Sequence, residues 1–322
     1  MPPDRHAESE ALDRALADLR ALARTDLGVI ETISCGRGAV PALREVLFAP
    51  EPSGLFAPRC AAVEALAALG AEDVLIEFLA APHQIADPVA RVGTESVMDC
   101  VARALMRCQD PRLPALLHHL AVTRLLPGAI EWLGAHGRIE ALPCLIRALG
   151  DDVAFPSAIT ALHGIGAAAI PALWQACATP APDRDHETDT SRRRRRTALA
   201  VLRDIGADGG TAPTGTLERL ADDSDSGIST AGLCLQLDTG DVADRLAVAC
   251  RLIAALDRAN ILVRDDIEAC LMRHAGLARR VLTETECVVI AKATPARRRV
   301  LGYLAARLGV LPDDMRPRAG SC

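Results

Sequence analysis

Residues 158–177 read Ala-Ile-Thr-Ala-Leu-His-Gly-Ile-Gly-Ala-Ala-Ala-Ile-Pro-Ala-Leu-Trp-Gln-Ala-Cys. Ala158, Ala161, Leu162 and Ile165 recur three and four apart, which sets them on one face of a helix. Gly166 follows at the point where a helix closes with the left-handed cap that glycine adopts without strain. Pro171 then suits the first turn of a second helix, where a missing N–H leaves nothing unpaired. Leu173 and Cys177 lie one turn apart on the face of that helix. The stretch predicts helix, tight turn, helix.

The same pattern returns along the chain. Its first half reappears as Ala62, Ala65, Leu66, Leu69, Gly70; as Leu126, Ala129, Ile130, Leu133, Gly134; and as Ala198, Val201, Leu202, Ile205, Gly206. Val101, Ala104, Leu105 and Cys108 form a weaker copy that meets Gln109 in place of glycine. The second half starts at Pro41, Asp73, Pro114, Pro143 and Pro171. Two positions on stand Leu43, Leu75, Leu116, Leu145 and Leu173, and six positions on stand Leu47, Leu79, Leu120, Leu149 and Cys177. The longest interval contains a turn-rich insert, Pro82 to Gly93. One such unit has too little apolar surface to fold alone. The expected fold class is therefore all-α, an α-solenoid of stacked helical hairpins.

These motifs, Ala-Leu-x-x-Leu/Ile-Gly followed by x-Pro-x-Leu-x-x-x-Leu, resemble HEAT repeats, in particular the short bacterial variety named after the phycobilisome lyases. The resemblance covers residues 36–221 and implies an armadillo-type superhelix whose second helices line a concave, protein-binding face. Around it, residues 1–35 are expected to form an N-terminal helical cap, with a helix over 7–24 through Leu12, Leu16, Leu19 and Leu22. A mobile loop without periodicity, 178–191, interrupts the repeats. Residues 222–309 continue as divergent helices, and 310–322 form a flexible tail.

Half of the residues are hydrophobic but only 2% are aromatic, so the core is built of Ala, Leu, Val and Ile. This excludes a disordered chain, a collagenous one and a secreted disulfide scaffold. It also argues against aromatic stacking platforms for single-stranded nucleic acid. The net charge of −6 does not suit a general polyanion binder. The charge is uneven, +5 over 276–308 against −11 over 1–275. Lys292 is the only lysine, a bias read as the coding preference of a GC-rich genome.

The cysteines are irregularly spaced and include no C-x-x-C. Cys60, Cys100, Cys144 and Cys177 occupy positions that want a small apolar residue, which predicts free thiols and a cytoplasmic location. Met1 to Arg24 has no apolar signal core. Val153 to Pro182 carries no charge and is long enough to cross a bilayer. Pro156, Gly164, Gly166 and Pro171 divide it, however, so a buried helical hairpin is expected and no membrane partner.

Four positions after each anchor stand Glu45, Glu77, His118, Arg147 and Gln175, all polar between two apolar columns. They are expected to form a ladder along the concave ridge that contacts another protein, with Trp174 as an anchor if exposed. A solvated helix face is the plainer alternative. Arg192, Arg193, Arg194, Arg195 and Arg196 crowd the positive end of a helix dipole behind Asp183, Asp185, Glu187 and Asp189, and Ser191 is placed to cap that helix. An anion or nucleic acid docking there is one reading, and a solvated charge run the other. Arg297, Arg298 and Arg299, near Tyr303, form a second basic candidate.

His118, His119, His136, Cys100, Cys108 and Cys144 lack zinc-ligand spacings, so no metal is expected. The di-iron hydroxylases built on HEAT-like repeats use repeated His-Glu pairs; His186-Glu187 is the single pair here, and their chemistry is not carried over. No G-x-S-x-G elbow is present, and Gly209-Gly210 lacks the strand and lysine of a phosphate loop, so no cofactor is expected. The sequence points to a non-catalytic scaffold, adaptor or assembly chaperone that binds another protein. The alternatives are a nucleic-acid-binding protein similar to the DNA-glycosylase-like HEAT arrays, and a lyase-type chaperone that attaches a cofactor to a partner.

Overall fold

A computed structural model of the chain describes residues 5–50, 55–83, 85–183, 186–206, 211–239, 242–256, 259–284 and 295–310. Among the described residues the protein is all-α apart from one hairpin with two strands of two residues each. Its helices are α1 (Arg5–Arg20), α2 (Thr25–Ser34), α3 (Val40–Phe48), α4 (Ala57–Ala68), α5 (Glu72–Ala80), α6 (Pro88–Ala104), α7 (Leu113–Arg124), α8 (Pro127–Ala135), α9 (Leu142–Ala148) and α10 (Phe155–Ile165). There follow α11 (Ile170–Ala178), α12 (Asp189–Asp204), α13 (Thr216–Ala221), α14 (Ser226–Thr239), α15 (Val242–Ala255), α16 (Ile261–Arg273), α17 (Ala275–Glu284) and a last helix, Pro295–Leu308. The contacts divide the chain into two compact units, one of 1–148 with 152–165 and one of 149–151 with 166–322.

Local chemistry places the helix ends. Pro41, Pro114 and Pro171 enter α3, α7 and α11 in their first turn, as expected. Asp87 caps α6, its carboxylate accepting from the N–H groups of Val89 and Ala90. Gly70, Gly166 and Gly206 adopt φ of +65°, +66° and +74°, the left-handed stops predicted for them. Gly166 and the 3-10 turn Gly166–Ala169 also break Phe155–Ala178, the one described stretch long and apolar enough to cross a bilayer, into two short helices.

In the first unit α1 packs on α2, and α2, α4, α6, α8 and α10 then pack each on the next. The intervening helices α3, α5 and α7 pack on one another and against their chain neighbours. The predicted columns are buried: Ala62, Ala65 and Leu66 in α4, Ala129, Ile130 and Leu133 in α8, Ala158, Ala161 and Leu162 in α10. Leu43, Leu47, Leu75, Leu79 and Leu145 are buried on the helices between. In α7 the register is turned by one residue, so that Leu117 takes the buried position expected of Leu116, which is half-buried. α1 stops at Arg20; Leu22 lies beyond it, 62% exposed, and is not part of the apolar face that buries Leu16 and Leu19.

In the second unit α11 packs on α12, and α12, α14 and α16 pack in sequence, with α13 and α15 against α14. Leu233, Leu237, Ala249, Leu252, Ile267, Val281 and Leu304 close one apolar core that continues to the last helix. The stretch expected to be a structureless loop contains a hairpin, β1 (Pro182–Asp183) antiparallel to β2 (His186–Glu187). The cap of α12 is Thr188, whose hydroxyl accepts from Ser191 N–H at 3.1 Å. Ser191 itself is buried, donating to Glu187 at 2.6 Å and accepting from Ala181 N–H at 2.9 Å.

Gly134 departs from its expected role. α8 runs past it, and the left-handed stop is Gly137, with φ +60°. Gly134 faces α10, where an added Cβ would overlap the backbone of Ala161. Backbones that meet this closely need a residue without a side chain. Gly134→Ala is therefore expected to lower the unfolding free energy by about 1–3 kcal/mol, as overpacking does. Denaturant titration measures it, and an unchanged midpoint would show that α8 and α10 can separate at no cost.

Candidate functional site

The ladder residues fall into two states. Glu45 and Gln175 are exposed, and Glu45 has no side-chain partner among the described residues. Glu77, on α5, is exposed but engaged: Arg44 of α3 donates from Nε to its Oε2 at 3.1 Å and closes a bidentate pair. That hydrogen bond holds the Glu77 carboxyl below the usual carboxylate range. Arg147, on α9, turns back to α7 and donates to the carbonyls of Ala121 and Val122 at its C-terminal end. His118 is half-buried. Trp174 cannot anchor a partner. It is 1% exposed, with its indole N–H on the hydroxyl of Thr211 at 3.1 Å, because α12 and the segment before α13 close over that face of α11.

A second polar string crosses α6, α8 and α10. Arg103 pairs with Asp99 one turn before it and with Glu131 of α8 at 2.9 Å, and Glu131 accepts from Ser157 of α10 at 2.7 Å. Asp99 also accepts from Gly128 N–H at the start of α8. Burial pushes the Asp99 carboxyl up, with Arg103 and the Gly128 amide opposing. Burial pushes Glu131 up as well, but the hydrogen bonds from Arg103 and Ser157 outweigh it and leave the group below its ordinary value.

All five arginines of the run have partners within the protein. Arg195 is buried. Its Nε donates to Cys177 O at the end of α11 at 2.7 Å, Nη1 to Glu187 at 2.8 Å and Nη2 to Asp223 at 2.5 Å. Arg196 forms a bidentate pair with Asp225, which caps α14 by accepting from the N–H groups of Gly227 and Ile228. Arg192 meets Glu187 O and Asp189, Arg193 meets Gly150 O, and Arg194 meets Thr179 O. Carboxylates at the start of the helix thus come from within the protein, in Glu187, Asp189, Asp223 and Asp225, while Arg192 and Arg196 keep 38% and 53% of their side chains exposed. The side chains of Arg297, Arg298 and Arg299, together with Asp183 and Asp185, lie outside the described residues.

Arg59, on α4, repeats this arrangement in the first unit. It is buried, donates from Nε to Leu47 O at 2.9 Å and from Nη1 to Thr94 at 3.3 Å, and its guanidinium lies over Phe78. Arg59 and Arg195 each stand three residues before the small residue that opens the first-helix column, Ala62 and Ala198. Leu47 and Cys177 are both the sixth residue after their anchors. The repeat therefore includes a buried arginine that caps the preceding helix. The sequence carries this signal at two copies, hidden there by the abundance of arginine.

His118, His119, His136, Cys108 and Cys144 are not gathered into a site. His136 stacks on Trp132 at 3.8 Å, Cys144 donates to Ala141 O, and Cys108 donates to Glu72 at 3.0 Å. Among the described residues no group of three His, Cys, Asp or Glu side chains could hold a metal ion. Arg245, Arg273, His274 and Arg280 line a cleft of about 390 Å³ at the start of α17. Asp238 accepts from His274 Nε2 at 2.6 Å and, through its carbonyl, from Arg245. No protein-family model and no curated protein matches the chain.

Replacing Arg195 by Met would leave Glu187 and Asp223 without their shared cation and the end of α11 without its donor. The expected loss of unfolding free energy is about 3–5 kcal/mol, the effect of breaking a buried pair. Arg196→Met, at an exposed side chain, is expected to lose less than about 1 kcal/mol. Equal losses in denaturant unfolding would show that Arg195 is not the buried node.

Proposed function

We propose that the chain is a protein-binding scaffold without a catalytic centre, a HEAT-like solenoid whose second helices offer a polar surface to a partner. The observation that carries this reading is the reuse of one packing register. In α3, α5 and α9 the residues two positions after each anchor are buried while those four positions after it, Glu45, Glu77 and Arg147, stay outside. A surface with one repeated geometry suits a partner that lies along it and touches successive helices. Glu77 and Arg147 are already engaged within the protein, so Glu45 is the ladder residue of the first unit with its charge available. A partner segment carrying arginine or lysine opposite Glu45 fits it.

The test uses a partner captured from the native cell after nuclease digestion, then purified. Glu45→Arg is expected to weaken its binding at least about tenfold, the loss of roughly 1.4 kcal/mol that a reversed contact produces. Thermal stability should stay within about 0.5 kcal/mol of the parent. Undiminished affinity in the reversed variant would remove the ladder from the interface.

A second reading, contact with a nucleic-acid backbone, is favoured by the arginine-lined cleft at the start of α17. It requires duplex DNA to bind with an affinity that falls steeply with salt, and Arg245→Ala with Arg273→Ala to flatten that slope by about 2. Binding that is absent at low salt would eliminate it.

A further inference from the structure

Two pairs of thiols, far apart in sequence, meet on neighbouring helices. Cys60 of α4 and Cys100 of α6 approach to 2.9 Å between sulfurs. Cys234 of α14 and Cys270 of α16 are likewise hydrogen-bonded to each other. The two pairs differ in access. Cys60 and Cys100 are half-buried, whereas Cys234 and Cys270 are 2% and 0% exposed.

The surroundings of the first pair are charged. Arg59 adjoins Cys60, Asp99 adjoins Cys100, and Arg103 stands one turn after it on the same helix. Either thiol can donate to the other; with Cys60 as the donor, its S–H draws the Cys100 thiol down, against burial, with Arg103 assisting and Asp99 opposing. The same contact and burial push the Cys60 thiol up. In that arrangement Cys100 is the thiol drawn toward its thiolate and Cys60 the one that keeps the shared proton.

We propose that Cys60 and Cys100 form a hydroperoxide-reactive dithiol that closes into a disulfide between α4 and α6. The Cys100 thiolate attacks the terminal oxygen of the hydroperoxide, forming an S–O bond as the O–O bond breaks. The leaving alkoxide or hydroxide takes a proton from solvent. Cys100 is then a sulfenic acid. The sulfur of Cys60, losing its proton, attacks the Cys100 sulfur, forms the S–S bond and expels the hydroxyl, which leaves as water. Two thiols and one hydroperoxide give one disulfide, one water and one alcohol, or two waters for hydrogen peroxide. Closure needs the sulfurs to move from 2.9 Å to a bond of about 2.05 Å, and both already sit on packed helices. The buried pair, with the same chemistry but no access, stays reduced in the folded protein.

The test treats the full chain with an equivalent of hydrogen peroxide, alkylates it after denaturation and digests it with trypsin without reduction. Cys60 is the only cysteine of residues 60–91 and Cys100 the only one of 92–103, so their linkage has one mass, two hydrogens below the sum of the free peptides. The expected result is that linked species, with Cys234 (in 220–245) and Cys270 (in 265–273) recovered alkylated. In Cys60→Ser, Cys100 should accumulate as a sulfenic acid that dimedone labels; in Cys100→Ser, Cys60 should label at least about tenfold more slowly. Failure of the parent chain to link 60–91 to 92–103, under conditions that oxidise glutathione, would overturn the proposal. Faster labelling of Cys60 than of Cys100 would overturn the assignment of roles.

Discussion

Helices of six to seventeen residues, with cores made of alanine and leucine, bury their apolar stripes only when the next helix comes close. In the first unit that closeness is set by positions without side chains. Gly28 lies against the backbone of Leu19, Gly128 against Asp99 and Ala102, and Gly134 against Ala161. The scarcity of aromatic residues belongs to the same constraint, since large rings in these seams would hold the backbones apart. The two buried tryptophans each have a polar anchor: Trp132 donates to Leu105 O and Trp174 to Thr211.

Stacked short helices also have many ends, and each end leaves carbonyls without partners. Arginine meets that need here. Arg59 donates to Leu47 O, Arg195 to Cys177 O, Arg147 to Ala121 O and Val122 O, Arg251 to Ala221 O and Arg279 to Leu308 O. The planar guanidinium can serve a carbonyl with one N–H and a carboxylate with another, as Arg195 does with Glu187 and Asp223, whereas an ammonium lacks that fork. The near-absence of lysine is in keeping with how these cations are used.

Much of the local structure was legible. Proline at the start of α3, α7 and α11 and glycine after α4, α10 and α12 act through their own backbone, so reading them needs no neighbour. The columns through Leu43, Leu75 and Leu145 or Ala62 and Ala158 are legible for a related reason, because helical periodicity is a property of the chain itself. The errors share the opposite character. Gly134 looked like a stop because its contact, Ala161, belongs to another helix. Ser191 looked like a cap because the hairpin that sets Thr188 in that role has no periodic signal. Trp174 could be read either as an anchor or as core, because what covers it lies outside its own helix.

The sequence by itself determined that the chain is helical, where many of the helices begin and end, and which face of most of them is apolar, since these follow from backbone sterics and the hundred-degree step of an α-helix. Only the tertiary structure decided which polar side chains remain available. Glu45 and Glu77 occupy the same repeat position, yet among the described residues one has no side-chain partner and the other is bound by Arg44. It also decided that Cys60 and Cys100, forty residues apart, are neighbours. Partners of that kind are chosen by how one helix pair rotates and slides against the next, a sum over many small contacts that no single residue or spacing encodes.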